Sequence, residues 1–261
     1  MSSPELQALA AARARIGLVA LLIALAALAW WTTVRAMTGM GSSPTVDLGT
    51  LGWFVAVWIV MMAAMMFPAV SPTVALYSQM TRTRGLARPA AFTGGYLAVW
   101  GAAGLGAYAL CALGRNAFGD QLAWDSGGRW LAGGVLVLAA VYELTPLKDI
   151  CLGKCRTPLG FLLGSWRDGV RGAFSMGSRH AAWCVGCCWA LMAALFALGV
   201  MSILWMAVVA GLITIEKVLP WRRVAVWSTT LVLLLLAIGV LVAPGSVPGF
   251  VVPGGGGMPG M

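Results

Sequence analysis

The sequence predicts an all-α fold: a polytopic membrane bundle of about seven transmembrane helices, with the amino terminus inside and the carboxyl terminus outside. Of its 261 residues, 61% are hydrophobic, 17 are basic and 8 are acidic. This composition is too apolar for a soluble globular domain. The apolar residues also gather in stretches of about 20, the length at which a helix crosses a hydrocarbon core about 30 Å thick.

Seven stretches have this length, and they cover residues 16–34, 52–70, 90–113, 130–147, 181–199, 201–219 and 224–243. The first stretch is longer than the apolar part of a signal peptide, so we interpret it as an uncleaved span. The fifth and sixth are almost continuous, and we expect a tight hairpin near Gly199 to Ser202 to separate them, because a single helix would be about 58 Å long. Residues 1–243 then form one transmembrane domain, followed by a flexible Gly/Pro-rich tail at 244–261.

The basic residues give the orientation of these spans. With seven spans, 14 of the 17 Lys and Arg residues fall on the side of the amino terminus, and only Arg35, Arg115 and Arg129 fall on the other. Cytoplasmic loops are the ones that retain Lys and Arg, so the amino terminus is predicted to be inside. The net charge of +9 is explained in the same way, and no aromatic-basic motif for nucleic acid accompanies it. A bacterial cytoplasmic membrane is the expected location.

Five of the six cysteines lie within 38 residues. Cys151 and Cys155 are predicted in a basic loop, 148–180, and Cys184, Cys187 and Cys188 in the first two turns of the fifth span. Both groups are expected at the inner surface. Thiolates are soft donors that suit Cu(I) and also bind zinc, and the reducing cytoplasm keeps thiols available for a metal. The pattern predicts a metal site, with copper(I) favoured and zinc next.

Methionines extend this set of sulfur atoms. Met62, Met65 and Met66 share one face of the second span, one to two turns from the same surface, and Met192 extends the arc of the fifth-span cysteines. Their thioethers are interpreted as secondary ligands or a relay for a soft metal. The alternative is that they fill gaps between helices, as methionine often does.

Two acids and one histidine complete the candidate site. Glu143 and Glu216 are predicted at a similar depth, where a carboxylate needs a partner such as Lys148, Lys217 or a bound metal. They would balance charge in the site or form structural ion pairs. His180 lies four residues before Cys184 and could supply an imidazole ligand, or it could be a solvated residue at the interface.

All of these candidate residues except His180 lie in blocks that resemble an uncharacterised bacterial family of predicted metal-binding integral membrane proteins. The blocks are Met61–Pro68, Tyr142–Arg156, Cys184–Met192, Gly199–Met206 and Glu216-Lys217. The resemblance implies metal binding and a membrane location, and it names no reaction.

The sequence therefore predicts a membrane protein that handles copper(I) by binding, delivery or transport. Its expected partners are the lipid bilayer and a membrane protein or metallochaperone that exchanges metal with it, and nucleic acid is not expected. One alternative is an enzyme, a membrane thiol–disulfide oxidoreductase that uses the two cysteine groups with a quinone. Another is a zinc site that ties the 148–180 loop to the bundle. No nucleophile with an adjacent base, which other enzyme classes would require, is evident.

Overall fold

A computed structural model describes residues 3–39, 51–81, 85–118, 127–198 and 202–246 of the chain. Within these ranges the regular structure is helical, as predicted. Nine α-helices follow one another: α1 (Ser3–Gly39), α2 (Leu51–Met80), α3 (Ala87–Phe118), α4 (Arg129–Glu143), α5 (Pro146–Arg156), α6 (Pro158–Ser165), α7 (Gly169–Leu198), α8 (Ile203–Val218) and α9 (Arg222–Val242). Of the hairpin predicted near Gly199 to Ser202 only Ser202 is described, and of the tail predicted at 244–261 only Pro244–Ser246, which forms a short 3-10 helix.

Each of the seven predicted spans corresponds to one of these helices, and five are long and apolar enough to cross a membrane. These five are α1, α2, α3, α7 and α9. A sixth is added if α4 and α5, which meet at a bend of 66°, count as one broken span. The remaining helix, α8, has 16 residues and is about 24 Å long. The apolar helices are compatible with a polytopic membrane protein, and the count of seven stays a prediction.

The region predicted as a basic loop begins with a helix, so the placement of Cys151 and Cys155 in a loop is wrong. Helix α5 starts at Pro146, whose fixed φ suits the first helical position. Thr145 precedes it and accepts a hydrogen bond from the backbone N–H of Lys148 at 3.3 Å, as an N-cap residue does. The two cysteines are therefore one helical turn apart and share a face of α5. The short helix predicted within 158–168 is confirmed as α6.

The chain divides into two compact units. The first comprises Met1–Thr33, Val55–Gly104 and Ile150–Cys187, and the second comprises Val34–Phe54, Leu105–Asp149 and Cys188–Met261.

In the first unit, α3 and α7 pack with their backbones close together at two glycines. A Cβ placed on Gly177 would overlap the carbonyl oxygen of Phe92, and a Cβ on Gly95 would overlap that of Phe174. The hydroxyl of Ser178 adds a hydrogen bond to the carbonyl of Gly95 at 3.2 Å. Only glycine permits this approach, which brings the side chains of the two helices into direct contact.

The second unit is built around α4, α8 and α9. Helix α4 packs along α9, where Gly133 lies against the side chain of Leu241. Asp149 at the start of α5 forms a salt bridge with Arg222 at the start of α9. Because both side chains are exposed, this pair contributes little to stability.

Candidate metal centre

Three cysteines of α7 converge at one point of the helix. Cys184, Cys187 and Cys188 are all buried, and their sulfur atoms lie within 4.8 Å of one another. Their spacing of three and four residues places them on one face of the helix. Across the part of the chain that the structure describes, they are the one group of His, Cys, Asp or Glu side chains close enough to hold an ion together.

Helix α5 brings two further thiols to α7. The Sγ of Cys155 lies 3.8 Å from the Sγ of Cys187. A Cβ on Gly186 would come within 2.8 Å of the Sγ of Cys151, so this glycine leaves the room that Cys151 occupies. The separation of 3.8 Å matches two sulfurs that share one metal through bonds of about 2.3 Å at a tetrahedral angle. The predicted convergence of the two cysteine groups is therefore present in the structure.

A tyrosine that the sequence analysis did not single out contacts the first of these cysteines. The hydroxyl of Tyr96 on α3 lies 3.0 Å from the Sγ of Cys184, and both residues are buried. When Cys184 is a thiolate, the phenol is the only one of the two that can donate the hydrogen bond. Nothing in the local sequence signals this contact, because it depends on the close packing of α3 and α7.

His180 is buried among aromatic rings, so the interpretation of a solvated histidine is wrong. Its ring lies edge-on to Phe161 at a centroid distance of 5.0 Å, and the rings of Phe92 and Tyr96 lie at 6.1 and 6.2 Å. It is not a member of the three-cysteine group. Its role as a ligand stays a prediction. It lies one helical turn before Cys184, and its ring is near that of Tyr96, which contacts this cysteine.

The candidate methionines are buried as well. Met62, Met65 and Met66 lie on the buried face of α2, and Met192 is buried on α7. Burial is expected both of a secondary metal ligand and of a side chain that fills gaps between helices, so it does not distinguish the two roles. Their part in metal binding stays a prediction.

The two candidate acids meet at a lysine within the second unit. Lys148 forms a salt bridge with Glu143 and a second one with Glu216, whose Oε2 lies 2.7 Å from its Nζ. All three side chains are buried. Of the partners that the sequence offered to these carboxylates, Lys148 is the one that contacts both. A role for the two acids in balancing a metal's charge stays a prediction.

The chemistry available at α7 is that of a buried, sulfur-only donor set. Three thiols on one helix need no rearrangement of the chain to bind the same ion, and the thiol of Cys155 is close enough to exchange with that of Cys187. Soft, weakly hydrated ions such as Cu(I) prefer such donors, and Zn²⁺ also accepts them. The residues present therefore fit a soft metal ion.

Comparison with known proteins finds a matching family model. No curated protein and no solved structure matches the chain. Residues 55–241, more than half of the sequence, match the family model described as "PpoB2: Copper chaperone". The match includes α7 with its three cysteines, and the two findings together support a metal-binding protein that handles copper. The chain belongs to the PpoB2 copper chaperone family.

Proposed function

We propose that this protein is an integral membrane chaperone that holds Cu(I) between the thiolates of Cys184, Cys187 and Cys188 at the cytoplasmic side. The observation that carries the proposal is the group of three buried thiols on one face of α7, within 4.8 Å of one another. The description of the family as a copper chaperone supports the same role.

Cu(I) is favoured over zinc by the number and type of donors. Structural zinc sites are almost always four-coordinate, whereas α7 supplies three thiols and no nitrogen or oxygen ligand in the group. Thiolates are also the ligands that select Cu(I) among the available metals. The thiol of Cys155 could complete a four-sulfur zinc site, and this keeps zinc as the second candidate.

Cys155 provides a route by which the copper ion can leave the three buried thiolates. It is partly exposed, while the three cysteines of α7 are buried, and its sulfur lies 3.8 Å from that of Cys187. A metal can then pass from a buried thiolate to Cys155 by replacing one sulfur ligand at a time. From Cys155 it would move to a partner, which we propose to be a membrane protein or a metallochaperone.

The membrane location rests on the apolar helices and on the distribution of charge. Five or six described segments could cross a bilayer, and 14 of 17 basic residues fall on one side of the predicted topology. Lys and Arg accumulate on the cytoplasmic side. On this topology the amino-terminal end of α7 faces the cytoplasm, where thiols stay reduced. The three cysteines lie about halfway along the 30 residues of this helix, at the start of the predicted span 181–199.

Anaerobic Cu(I) titration of the purified protein tests the proposal. The wild type should bind one Cu(I) per chain, measured by elemental analysis and by competition with a colorimetric Cu(I) chelator. Replacement of Cys184, Cys187 and Cys188 by serine should weaken binding by more than about 100-fold, because loss of ligands exceeds the 10–100-fold cost of losing a residue that only supports them. Cys111→Ser on α3 is the matched control and should bind as the wild type does.

The same samples separate delivery from the alternatives. Cys155→Ser should keep the copper stoichiometry and slow its transfer to the chelator. Tightly held zinc in place of copper would establish the structural zinc site, and a reducible disulfide without metal would establish the oxidoreductase. Unchanged copper binding by the triple serine variant would refute the proposal.

A further inference from the structure

A cavity of about 240 Å³ opens in the first unit, and its lining includes Lys154 and Trp183, the sequence neighbours of Cys155 and Cys184. Two cationic residues line it: Lys154 from the last turn of α5 and Arg179 from α7. The aromatic side chains of Phe161 and Trp183 also line the cavity, together with Ser165, which has a hydroxyl group. No residue of this lining has a role in copper binding.

Of the described residues that line the cavity, none is acidic. Lys154 and Arg179 are both exposed, and among the described residues neither forms a salt bridge. The first unit contains ten Lys and Arg residues but only two acids, Glu5 and Asp168. Two cations that face one concave site without a carboxylate attract an anion, and the planar guanidinium of arginine suits a phosphate or carboxylate group in particular.

The surface next to the cavity indicates which anion fits. Helix α6 exposes Leu159 and Leu163, which lie one turn apart on the same face, at 52% and 63% of their full accessible surface. Gly164, on the cavity side of α6, has nothing within 4 Å of a Cβ placed on it, so the site stays open there. A phosphate group flanked by an apolar surface is the chemistry of a phospholipid, with its headgroup bound to cations and its chains against leucine.

We propose that this cavity binds the phosphate headgroup of an anionic phospholipid of the inner leaflet. The inference rests on the proposed membrane location, since α6 would lie on the bilayer surface. Lys154 and Arg179 belong to α5 and α7, the two helices whose cysteine sulfurs meet at 3.8 Å. A headgroup that bridges the two cations therefore also holds together the two helices that carry the copper ligands.

Native mass spectrometry of the full-length protein in detergent tests the proposal. With phosphatidylglycerol added at low molar excess, the wild type should retain one lipid molecule per chain, and with phosphatidylcholine it should retain none. Lys154→Gln/Arg179→Gln should reduce phosphatidylglycerol binding by about tenfold or more, because each lysine or arginine near anionic lipid contributes measurably to binding. Arg167→Gln/Arg171→Gln removes the same charge from exposed positions outside the cavity and should leave binding unchanged.

A second variant tests whether lipid binding requires the open space of the cavity, independently of its charge. Gly164→Leu changes no charge and adds an apolar side chain to the cavity lining, at a position where a Cβ meets nothing within 4 Å, and it should also abolish lipid retention. Equal retention of phosphatidylglycerol by all variants, or equal binding of phosphatidylcholine, would overturn the proposal. So would protection against thermal unfolding by inorganic phosphate alone with no preference for phosphatidylglycerol, because the ligand would then be a soluble anion.

Copper content, measured on the same samples, tests the copper site separately from the headgroup site. If the serine variant of the α7 cysteines loses copper but retains the lipid, both proposals hold. If copper binding is intact in a protein that shows no lipid preference, only the headgroup site fails. If the lipid is retained while the triple serine variant still binds copper, only the proposed function fails.

Discussion

Tyr96 is the residue that fixes the position of Cys184 from outside the cysteine group. Its hydroxyl lies 3.0 Å from the Cys184 sulfur in a buried environment. Groups that hydrogen-bond to a metal ligand hold that ligand in place, and their loss commonly costs 10–100-fold in metal affinity. If Cys184 binds the proposed copper ion, Tyr96 would act on the metal through Cys184 and would not itself be a ligand.

We expect Tyr96→Phe to weaken Cu(I) binding by about tenfold while one copper ion still binds per chain. The ring remains, so the packing of α3 against α7 is kept and only the hydrogen bond is removed. Competition titration measures the affinity, and thermal unfolding of the metal-free protein reports stability separately. Tyr77→Phe is the control, because Tyr77 is equally buried and packs against Phe92 and Trp166. An equal loss of affinity in both variants would contradict the positioning role.

The sequence predicted the cysteines of this site but not the residues around them. Cysteines are rare, and their spacing places them on one helical face whatever the rest of the fold does. Tyr96 and Gly186 are ordinary residues in apolar segments, and their roles depend on contacts with α7 and α5 that no local pattern encodes. The enclosure of His180 by aromatic rings from α3 and α6 has the same origin.

At the scale of helices, the approach of α3 to α7 is what brings Tyr96 to Cys184. The backbones meet at Gly95 and Gly177, where a side chain on either residue would overlap a carbonyl oxygen of the other helix. Backbone atoms cannot rotate away from a clash as a long side chain can. The distance between these helices therefore depends on both glycines.

Gly177→Ala should accordingly push α3 and α7 apart and destabilise the protein by about 1–3 kcal/mol or more, the usual cost of overpacking. The matched control is Gly94→Ala on α3, where a Cβ meets nothing within 4 Å and alanine improves the helix propensity. Thermal unfolding in detergent measures both variants, and Cu(I) affinity should fall only in Gly177→Ala. Similar stability of the two variants would contradict the close packing.

Helix α5 shows where sequence patterns were insufficient at this scale. Residues 148–180 lie between two predicted spans and carry several Lys and Arg, and they were therefore predicted to form a basic loop. The Thr145-Pro146 pair is a helix start signal, and it explains why a helix forms immediately after the bend of 66°. The helices in the apolar segments were predicted because about 20 consecutive hydrophobic residues leave few alternatives to a helix in a bilayer.

Lys148 joins α4, α5 and α8 through its bonds to Glu143 and Glu216. Replacing it with methionine would leave two buried carboxylates without this cation. We expect Lys148→Met to destabilise the protein by about 3–5 kcal/mol, the typical cost of breaking a buried ion pair by removing one partner. Chemical unfolding in detergent measures the change.

The control for this prediction removes the acids as well. Lys148→Met/Glu143→Gln/Glu216→Gln has no buried charge at the site and should recover most of the lost stability, since a neutral replacement of a buried pair is often tolerated. A triple variant as unstable as Lys148→Met would show that packing of the lysine chain, not its charge, holds the three helices together.

At the scale of the whole molecule, the number of spans depends on α8 once α4 and α5 are counted as one broken span. Seven spans place the two termini on opposite sides of the membrane, and six place them on the same side. The 16 residues of α8 are about 24 Å long, less than a hydrocarbon core of about 30 Å. Length alone therefore favours six spans, although a bilayer can thin around a short helix.

The distribution of basic residues favours seven spans instead. If α8 does not cross, Lys217, Arg222 and Arg223 move to the outer side, and the distribution of basic residues changes from 14 and 3 to 11 and 6. The excess of Lys and Arg in cytoplasmic loops sets the orientation of membrane proteins, so the sharper separation is the expected one. We therefore predict that α8 spans the membrane and that the carboxyl terminus is outside.

Reporter fusions at the carboxyl terminus distinguish the two topologies in cells. Alkaline phosphatase, which folds only outside the cytoplasm, should be active after Met261, and green fluorescent protein at the same point should be dark. A fusion after Asp168, between α6 and α7, is the internal control, because this position is cytoplasmic in both topologies. A fluorescent carboxyl-terminal fusion would establish six spans. The amino-terminal end of α7 would still face the cytoplasm, because α7 precedes the segment in question, so the copper site and the span count are tested independently.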